Sequence, residues 1–305
     1  MQNAIAHFDV DQNLKSYLEF QTYPFSLSPN YFPQIENATS LELVSIKSQS
    51  QINEEVLHHL PNLKMIITRT VGTNHVDQEL CQKRNIKIAT LPNYGSQVVA
   101  EHALGLLLCG ARNIVFANKD CQNGQFAYQN FLGSSLFGKT IGVIGMGKIG
   151  QALTKLLQPF GMQVLAYDIY QDQKIAQQLG FSYKPLKQLL KTADFIVICA
   201  SLNGETQHLL NLETLALIKE GAVLVNIARG EIIDTKALLK YHTKFKAICL
   251  DVVDNEAHFD KTNQLLSLKN IVLTPHIAFY SDKTIKTIGE QTTLLVKQFI
   301  KDHTL

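Results

Sequence analysis

Residues 139–168 read Lys-Thr-Ile-Gly-Val-Ile-Gly-Met-Gly-Lys-Ile-Gly-Gln-Ala-Leu-Thr-Lys-Leu-Leu-Gln-Pro-Phe-Gly-Met-Gln-Val-Leu-Ala-Tyr-Asp, and this stretch decides the fold. The apolar run at 141–144 predicts a buried strand, which is followed by a glycine-rich turn at 145–150. The apolar spacing beyond the turn predicts a helix that ends at Gly161, a residue that tolerates left-handed backbone angles. A second apolar run, 164–167, predicts the next strand. Strand, helix and strand in this order predict a parallel βαβ unit.

The glycines of the turn have the Gly-x-Gly-x-x-Gly spacing of a dinucleotide-binding site. Gly145 permits the tight turn, Gly147 lets a pyrophosphate approach the backbone, and Gly150 lets helix and strand pack closely. The N-terminus of the helix faces the phosphates with free N–H groups. Asp168 ends the second strand, where a carboxylate binds ribose hydroxyls and repels a 2′-phosphate. The stretch therefore predicts NAD, rather than NADP, as the cofactor.

The composition is that of an ordinary globular protein. A length of 305 residues suggests about two domains, and a net charge of +2 gives no reason to expect a nucleic-acid or membrane partner. The five cysteines are scattered without a Cys-x-x-Cys pair, which favours reduced thiols and no metal site. The N-terminus resembles no signal peptide, and no apolar run is long enough to span a bilayer. We expect a cytoplasmic protein.

Strands and helices alternate along most of the chain. Residues 1–93 predict a small α/β unit, and the alternation from 140 to 275 predicts a doubly wound parallel sheet. Between them, the segment 97–118 is apolar on nearly all sides and predicts one long helix, N-capped by Ser96, that is buried or lies at an interface. Ligands of such sheets bind at the carboxyl ends of the strands. The polar residues predicted at those ends are Asp168, Ser201, Arg229, Asp251 and His276.

Three residues outside the turn predict the chemistry. Arg229 can hold a carboxylate through two hydrogen bonds, although a structural ion pair is the alternative. His276 can donate a proton near neutral pH, although a lone histidine is more often structural. Glu256 beside an imidazole would favour its protonated form, although a loop acid is more often simply solvated.

Six short stretches are spread along the chain: Thr-Val-Gly-Thr-Asn-His-Val-Asp (70–77), Val-Ala-Glu-His (99–102), the glycine-rich turn, Asn-Ile-Ala-Arg-Gly (226–230), Leu-Asp-Val (250–252) and Thr-Pro-His (274–276). In these stretches the chain resembles the D-2-hydroxyacid dehydrogenase family, over essentially its whole length. Within that family, Tyr94 and the run 274–281 most resemble the D-lactate dehydrogenases.

The resemblance implies hydride transfer from NADH to the keto carbon of a 2-oxo acid such as pyruvate. It implies that His276 protonates the developing alkoxide, that Glu256 keeps His276 charged, and that Arg229 binds the carboxylate. Substrate contacts implied in the same way are the backbone of Val71 and Gly72 and the side chains of Tyr94 and Phe279. Cofactor contacts beyond the three glycines and Asp168 are expected at Lys148, Ile149, Ser201, Thr206, Ala228 and Asp251.

The resemblance also implies the domain arrangement. A Rossmann dinucleotide-binding domain would span 96–278, and a smaller, discontinuous, flavodoxin-like α/β domain that binds substrate would combine 1–95 with 279–305. Members of the family are commonly homodimers joined through the helix near 97–118, so we expect a homodimer.

Two alternatives remain open at this stage. The substrate could be a larger or phosphorylated hydroxy acid, such as glycerate, phosphoglycerate or erythronate phosphate, with Lys47, Ser48 and Arg69 facing it; Phe279 argues for a small apolar substrate instead. The protein could also be an NAD(H)-sensing binding protein similar to the corepressors that share this fold, because fold does not determine function.

Overall fold

The computed structural model describes residues 4–70, 72–91 and 95–303. The chain divides into two compact units: unit 1 is Met1–Gly95 with Tyr280–Leu305, and unit 2 is Ser96–Phe279. These bounds differ from the predicted division only in the position of residue 279.

The strands and helices described are, in chain order, β1 (Ile5–His7), α1 (Gln12–Lys15), β2 (Gln21–Thr22), β3 (Leu43–Ile46), α2 (Glu54–His58), β4 (Met65–Thr68), α3 (Gln78–Lys83), β5 (Lys87–Thr90), α4 (Ser96–Arg112), α5 (Ile114–Gln122), β6 (Thr140–Ile144), α6 (Lys148–Leu157), β7 (Gln163–Tyr167), α7 (Gln173–Leu179), β8 (Ser182–Tyr183), α8 (Leu186–Thr192), β9 (Phe195–Ile198), α9 (Leu212–Ala216), β10 (Ala222–Asn226), α10 (Thr235–Tyr241), β11 (Phe245–Leu250), β12 (Ile271–Leu273) and α11 (Asp282–Asp302).

Unit 1 is built on a parallel sheet with the strand order β2-β1-β3-β4-β5, counted over the described residues. Every residue of β1, β3 and β4 is buried, as expected for strands covered on both faces. The last helix, α11, belongs to this unit although it follows unit 2 in sequence. Its Thr293 hydroxyl donates to the carbonyl of Tyr17 at 3.1 Å, and Gly289 gives the Tyr17 side chain room to pack.

Unit 2 contains a parallel sheet with the order β12-β11-β10-β9-β6-β7-β8 among the described strands. The chain runs outward from β6 to β8 and then resumes at β9 on the other side of β6. Alternate side chains of the strands enter two separate cores: Val197 and Val225 lie in one, and Ile196 and Leu224 in the other. This is the predicted doubly wound fold, whose crevice lies at the carboxyl ends of β6 and β9, where the strand order reverses.

The prediction of one helix over 97–118 is wrong. The chain forms α4 and α5, which are bent by 65° at Asn113, a residue with φ = 56°. Ser96 is the first residue of α4 rather than its cap. The apolar character of α4 is explained by packing inside unit 2, because Ala100, Ala103 and Leu107 are fully buried in its core. None of the described helices is by itself long and apolar enough to cross a bilayer, although α4 and α5 taken together pass that test.

Candidate active site

The glycine-rich turn at the start of α6 fits a dinucleotide. Gly145 has φ = 95°, and a Cβ there would lie 2.5 Å from the backbone nitrogen of Ala200. A Cβ on Gly150 would collide with the carbonyl oxygen of Gly145. By contrast, no atom lies within 4 Å of a Cβ built on Gly147, which caps α6, so a phosphate can approach the helix N-terminus there. Lys148 and Ile149 form the first turn of the helix beside this opening.

Asp168 lies at the carboxyl end of β7 and is half-buried. One carboxylate oxygen accepts the backbone N–H of Met146 at 2.7 Å, and the other accepts that of Tyr170 at 3.0 Å. The side chain expected at the ribose therefore also ties the end of β7 to the glycine-rich turn. This second contact was not foreseen from the sequence.

The loop after β9 carries two of the predicted cofactor residues. Ser201 is exposed, and its carbonyl accepts the Thr206 hydroxyl at 2.7 Å. The backbone N–H of Asn203 donates to the same hydroxyl at 2.8 Å. Thr206 thus closes the loop on itself at the edge of the crevice.

Arg229 is exposed just beyond the carboxyl end of β10. The buried Asn226 shapes the turn before it, since its side chain accepts the Ala228 N–H at 3.0 Å and donates to the Arg229 carbonyl at 2.8 Å. Gly230 is required next to it, because any Cβ there would collide with the backbone of Val253 and Asp254. This close approach brings the loop after β11 alongside the turn that carries Arg229.

His276 and Glu256 form an ion pair, with 2.8 Å between Nδ1 of the histidine and Oε2 of the glutamate. Glu256 comes from the loop after β11, and His276 follows β12, the neighbouring strand. The two side chains are 36% and 40% exposed, so ligands can reach the pair. The ring of Phe279 stands edge-on to His276, with 6.4 Å between the centroids, and forms an apolar wall beside it.

Asp251, expected among the cofactor contacts, is buried with a side-chain exposure of 0%. Its carboxylate accepts hydrogen bonds from Thr274, Ile277 and Ala278, the residues that surround His276. Sequence reasoning gave no role to Thr274 or to His102, which also reaches this carboxylate.

Unit 1 holds the remaining predicted residues. Val71 and Tyr94 lie outside the described residues. Gly72 is half-buried, and its carbonyl accepts the Thr70 hydroxyl at 2.5 Å. Arg69 does not fit the alternative in which it faces a substrate, because it is only 2% exposed and its guanidinium donates to Ser45.

The dinucleotide cradle and the imidazole–carboxylate pair lie at the carboxyl ends of strands in one parallel sheet, and this combination is typical of a nicotinamide-dependent oxidoreductase. Comparison with known proteins specifies the class further. Residues 104–278 match the model of the D-isomer specific 2-hydroxyacid dehydrogenase, NAD binding domain. The chain belongs to this family.

Relatives agree with that assignment and differ in the substrates they are named for. The chain is 35% identical to a glyoxylate reductase of Pyrococcus furiosus, over 80% of this chain and 74% of the relative. It is 33% identical to a D-3-phosphoglycerate dehydrogenase of Methanocaldococcus jannaschii, over 88% of this chain and 51% of the relative. A solved structure of D-lactate dehydrogenase from Aquifex aeolicus, complexed with NAD and lactic acid, superposes with a TM-score of 0.85 at 31% identity, covering 98% of this chain and 96% of that one.

These findings confirm the predicted fold class, the NAD cofactor and the assignment as an enzyme. The protein is an NAD-dependent 2-hydroxyacid dehydrogenase.

Proposed function

We propose that this enzyme reduces a small 2-oxo acid of the pyruvate type to the corresponding D-2-hydroxy acid. The observation that carries the proposal is the His276–Glu256 pair, held at 2.8 Å on the sheet that carries the dinucleotide cradle. Phe279 favours a small apolar substituent on the substrate, since its ring stands beside the imidazole. The buried position of Arg69 argues against a phosphorylated substrate held by that residue.

The cofactor and three side chains have distinct roles in the proposed reaction. NADH, when bound, supplies the hydride that adds to the keto carbon. His276 donates a proton to the carbonyl oxygen as that oxygen gains the electron pair of the C=O bond. Glu256 holds Nδ1 and stabilises the imidazolium, which leaves Nε2 as the proton donor. Arg229 grips the substrate carboxylate through the two arms of its guanidinium.

The remaining assignments are proposed from the glycine-rich motif and the family resemblance. The pyrophosphate would be held by Gly145, Gly147, Lys148, Ile149 and Gly150. At the edges of the dinucleotide, Asp168 would hold the ribose, and the Ser201–Thr206 loop and Ala228 would flank the nicotinamide side. Substrate contacts would come from the backbone at Val71 and Gly72 and from the Tyr94 side chain, within the smaller substrate-binding unit.

A panel of 2-oxo acids assayed with NADH and with NADPH tests the proposal. Pyruvate and its small apolar homologues should be reduced with the highest kcat/KM, and NADH should be strongly preferred. A higher kcat/KM for hydroxypyruvate or a phosphorylated 2-oxo acid would show that the substrate belongs to a different class from the one proposed. Tight NADH binding without turnover of any acid would favour the nucleotide-sensing alternative.

We further propose that the protein is a homodimer. The interface expected from the sequence was the helix near 97–118, but most apolar side chains of α4 are buried in the core of unit 2. We therefore propose as the interface the apolar face formed by the exposed side chains of residues 114–137. Phe126 is 96% exposed there, and it is one of six exposed large apolar side chains in this segment, more than the isolated exposures that are normal on a monomer surface. A second copy of the same face is the occupant that would bury it. The large apolar side chains of this face that are exposed are Ile114, Val115, Phe126, Tyr128, Leu132 and Phe137.

Sedimentation measures the dimer directly. The wild type should have twice the mass of one chain, and a Phe126→Asp/Leu132→Asp variant should sediment as a monomer. Exposed Tyr170, also an aromatic side chain, lies outside this face, so Tyr170→Asp is the control and should remain dimeric. A monomeric wild type would contradict the proposal.

A further inference from the structure

The segment that carries His276 has an unusual backbone. His276 has φ = 54°, in the left-handed region that residues with a Cβ rarely occupy. Its N–H donates to the carbonyl of Asp251 at 2.8 Å. A residue held in such a conformation at a functional site needs surrounding structure to maintain it.

The side chain of Asp251 supplies that structure. Its Oδ1 accepts the Thr274 hydroxyl at 2.6 Å and the Ile277 N–H at 2.9 Å, while Oδ2 accepts the Ala278 N–H at 2.9 Å. Residues on both sides of His276 are therefore hydrogen-bonded to a single carboxylate at the end of β11. All of these hydrogen bonds join residues of unit 2.

Charge strengthens this arrangement. Burial alone would raise the pKa of Asp251, but hydrogen bonds from His102, Thr274, Ala278 and Ile277 outweigh burial and hold its pKa below the usual value. The carboxylate is thus ionised at neutral pH and acts only as an acceptor. Charge-assisted hydrogen bonds of this kind are roughly twice as strong as neutral ones.

His102 connects this carboxylate to α4. Its Nε2 lies 3.2 Å from the Thr274 hydroxyl oxygen and 3.4 Å from Oδ1 of Asp251. The single hydroxyl hydrogen of Thr274 is directed to Asp251, so the hydrogen between His102 and Thr274 must be on Nε2. His102 therefore donates to Thr274, and α4 anchors the segment.

We propose that Asp251, Thr274 and His102 form a positioning clamp that holds the backbone of residues 274–278 in the conformation that presents His276. The clamp acts through His276 rather than on the substrate. Its effect on the rate rests on the proposed function, whereas its effect on the backbone does not. Asp251 then contributes to catalysis by orienting the acid, in addition to any contact with the cofactor.

The matched pair Thr274→Val and Thr274→Ser tests the clamp. Valine has the shape of threonine without the hydroxyl, and serine keeps the hydroxyl. Amide hydrogen exchange of the peptide covering 274–281 should accelerate in the valine variant and recover in the serine variant. This arm needs no turnover, so it decides whether the clamp holds the backbone even if no 2-oxo acid is a substrate.

Kinetics tests the consequence for His276. In the valine variant kcat should fall about 10- to 100-fold, because a misplacement of about 1 Å costs on the order of 100-fold. The solvent deuterium isotope effect on kcat should increase as proton transfer becomes slower, while KM and the affinity for NADH stay unchanged. The serine variant should recover most of the lost rate.

Several results would overturn the proposal. Unchanged exchange in the valine variant would show that the hydroxyl does not hold the segment. Weaker NADH binding with unchanged exchange would assign the cluster to the cofactor instead. If Thr274→Val does not fold, His102→Leu and His102→Gln form a second pair, since glutamine keeps an N–H donor; equal exchange in these two variants would also reject the clamp.

Discussion

Both units place polar side chains at the carboxyl ends of parallel strands, yet they use them differently. In unit 1, His7, Ser45 and Arg69 are buried and bonded to each other. In unit 2, Arg229 is exposed and His276 is 36% exposed beside a carboxylate. Position at the end of a strand is shared by both groups, so position alone does not identify a reacting site.

The difference lies in how each cation is satisfied. The Arg69 guanidinium donates to Ser45 at 2.5 Å, to the Asp9 carbonyl at 3.1 Å and to the carbonyl of Phe8. Burial lowers the pKa of Arg69 to about 10, at which it is still charged at neutral pH. Burial, together with the Arg69 cation, lowers the pKa of His7 to about 3, so His7 is neutral. The charge of Arg69 in unit 1 is therefore buried, whereas Arg229 and His276 in unit 2 are accessible to ligands.

Replacing the presented histidine should have the largest effect. His276→Gln keeps a hydrogen-bond donor for Glu256 but has no proton to transfer, so kcat for 2-oxo acid reduction should fall about 10²- to 10⁴-fold. Affinity for NADH, measured by fluorescence, should not change. His258→Gln alters an exposed histidine of the loop after β11 and should leave the rate unaltered. A loss of less than tenfold in kcat for His276→Gln would show that His276 is not the proton donor.

The two arginines allow a direct test of the contrast. Arg229→Lys loses the fork that holds a carboxylate and should raise KM about 10- to 100-fold, equivalent to about 1.4–2.7 kcal/mol, with unchanged stability. Arg69→Lys cannot reach all of its acceptors and should lower the free energy of unfolding by a similar amount, about 1.5–3 kcal/mol, with KM unchanged. Denaturant titration and steady-state kinetics measure both quantities. Equal effects of the two substitutions on KM would contradict the assignment of Arg69 to stability and Arg229 to substrate binding.

The buried His7 makes a smaller, pH-dependent contribution to the free energy of unfolding. The unfolded chain protonates His7 with a pKa near 6.5, whereas the folded chain does so only at about 3. Stability from this residue is therefore present above pH 6.5 and is lost as the pH falls towards 3, by up to about 1.4 kcal/mol per pH unit. His7→Gln should flatten the acid side of the stability profile, measured by urea unfolding between pH 7 and about 4.5.

His58→Gln serves as the control for that profile, because His58 is exposed. Its acid slope should match the wild type. A His7→Gln profile that is parallel to the wild type over this interval would mean that His7 does not remain neutral in the folded protein.

Much of the nucleotide site could be predicted from the sequence because its requirements are local. The spacing of Gly145, Gly147 and Gly150 reflects one turn, and the structure shows the close approaches that exclude a Cβ at the first and third of them. The left-handed conformation of Gly161 was predicted for the same reason, and its φ is 62°; α6 itself ends earlier, at Leu157, and a 3-10 turn at Gln158–Phe160 leads to Gly161. Such features depend on a few consecutive residues.

Features that depend on distant contacts were missed. Nothing local to α4 indicates that His102 bonds to Thr274, 172 positions away in the sequence. The break at Asn113 interrupts an apolar pattern that continues across it, so periodicity alone predicted one helix. The burial of Arg69 depends on the carbonyl groups of the two residues after β1, Phe8 and Asp9, which the sequence around position 69 does not reveal.

The ion pair between His276 and Glu256 lies entirely within unit 2. Unit 2 alone therefore pairs the proposed acid with its carboxylate, and no residue of unit 1 is needed to form that pair.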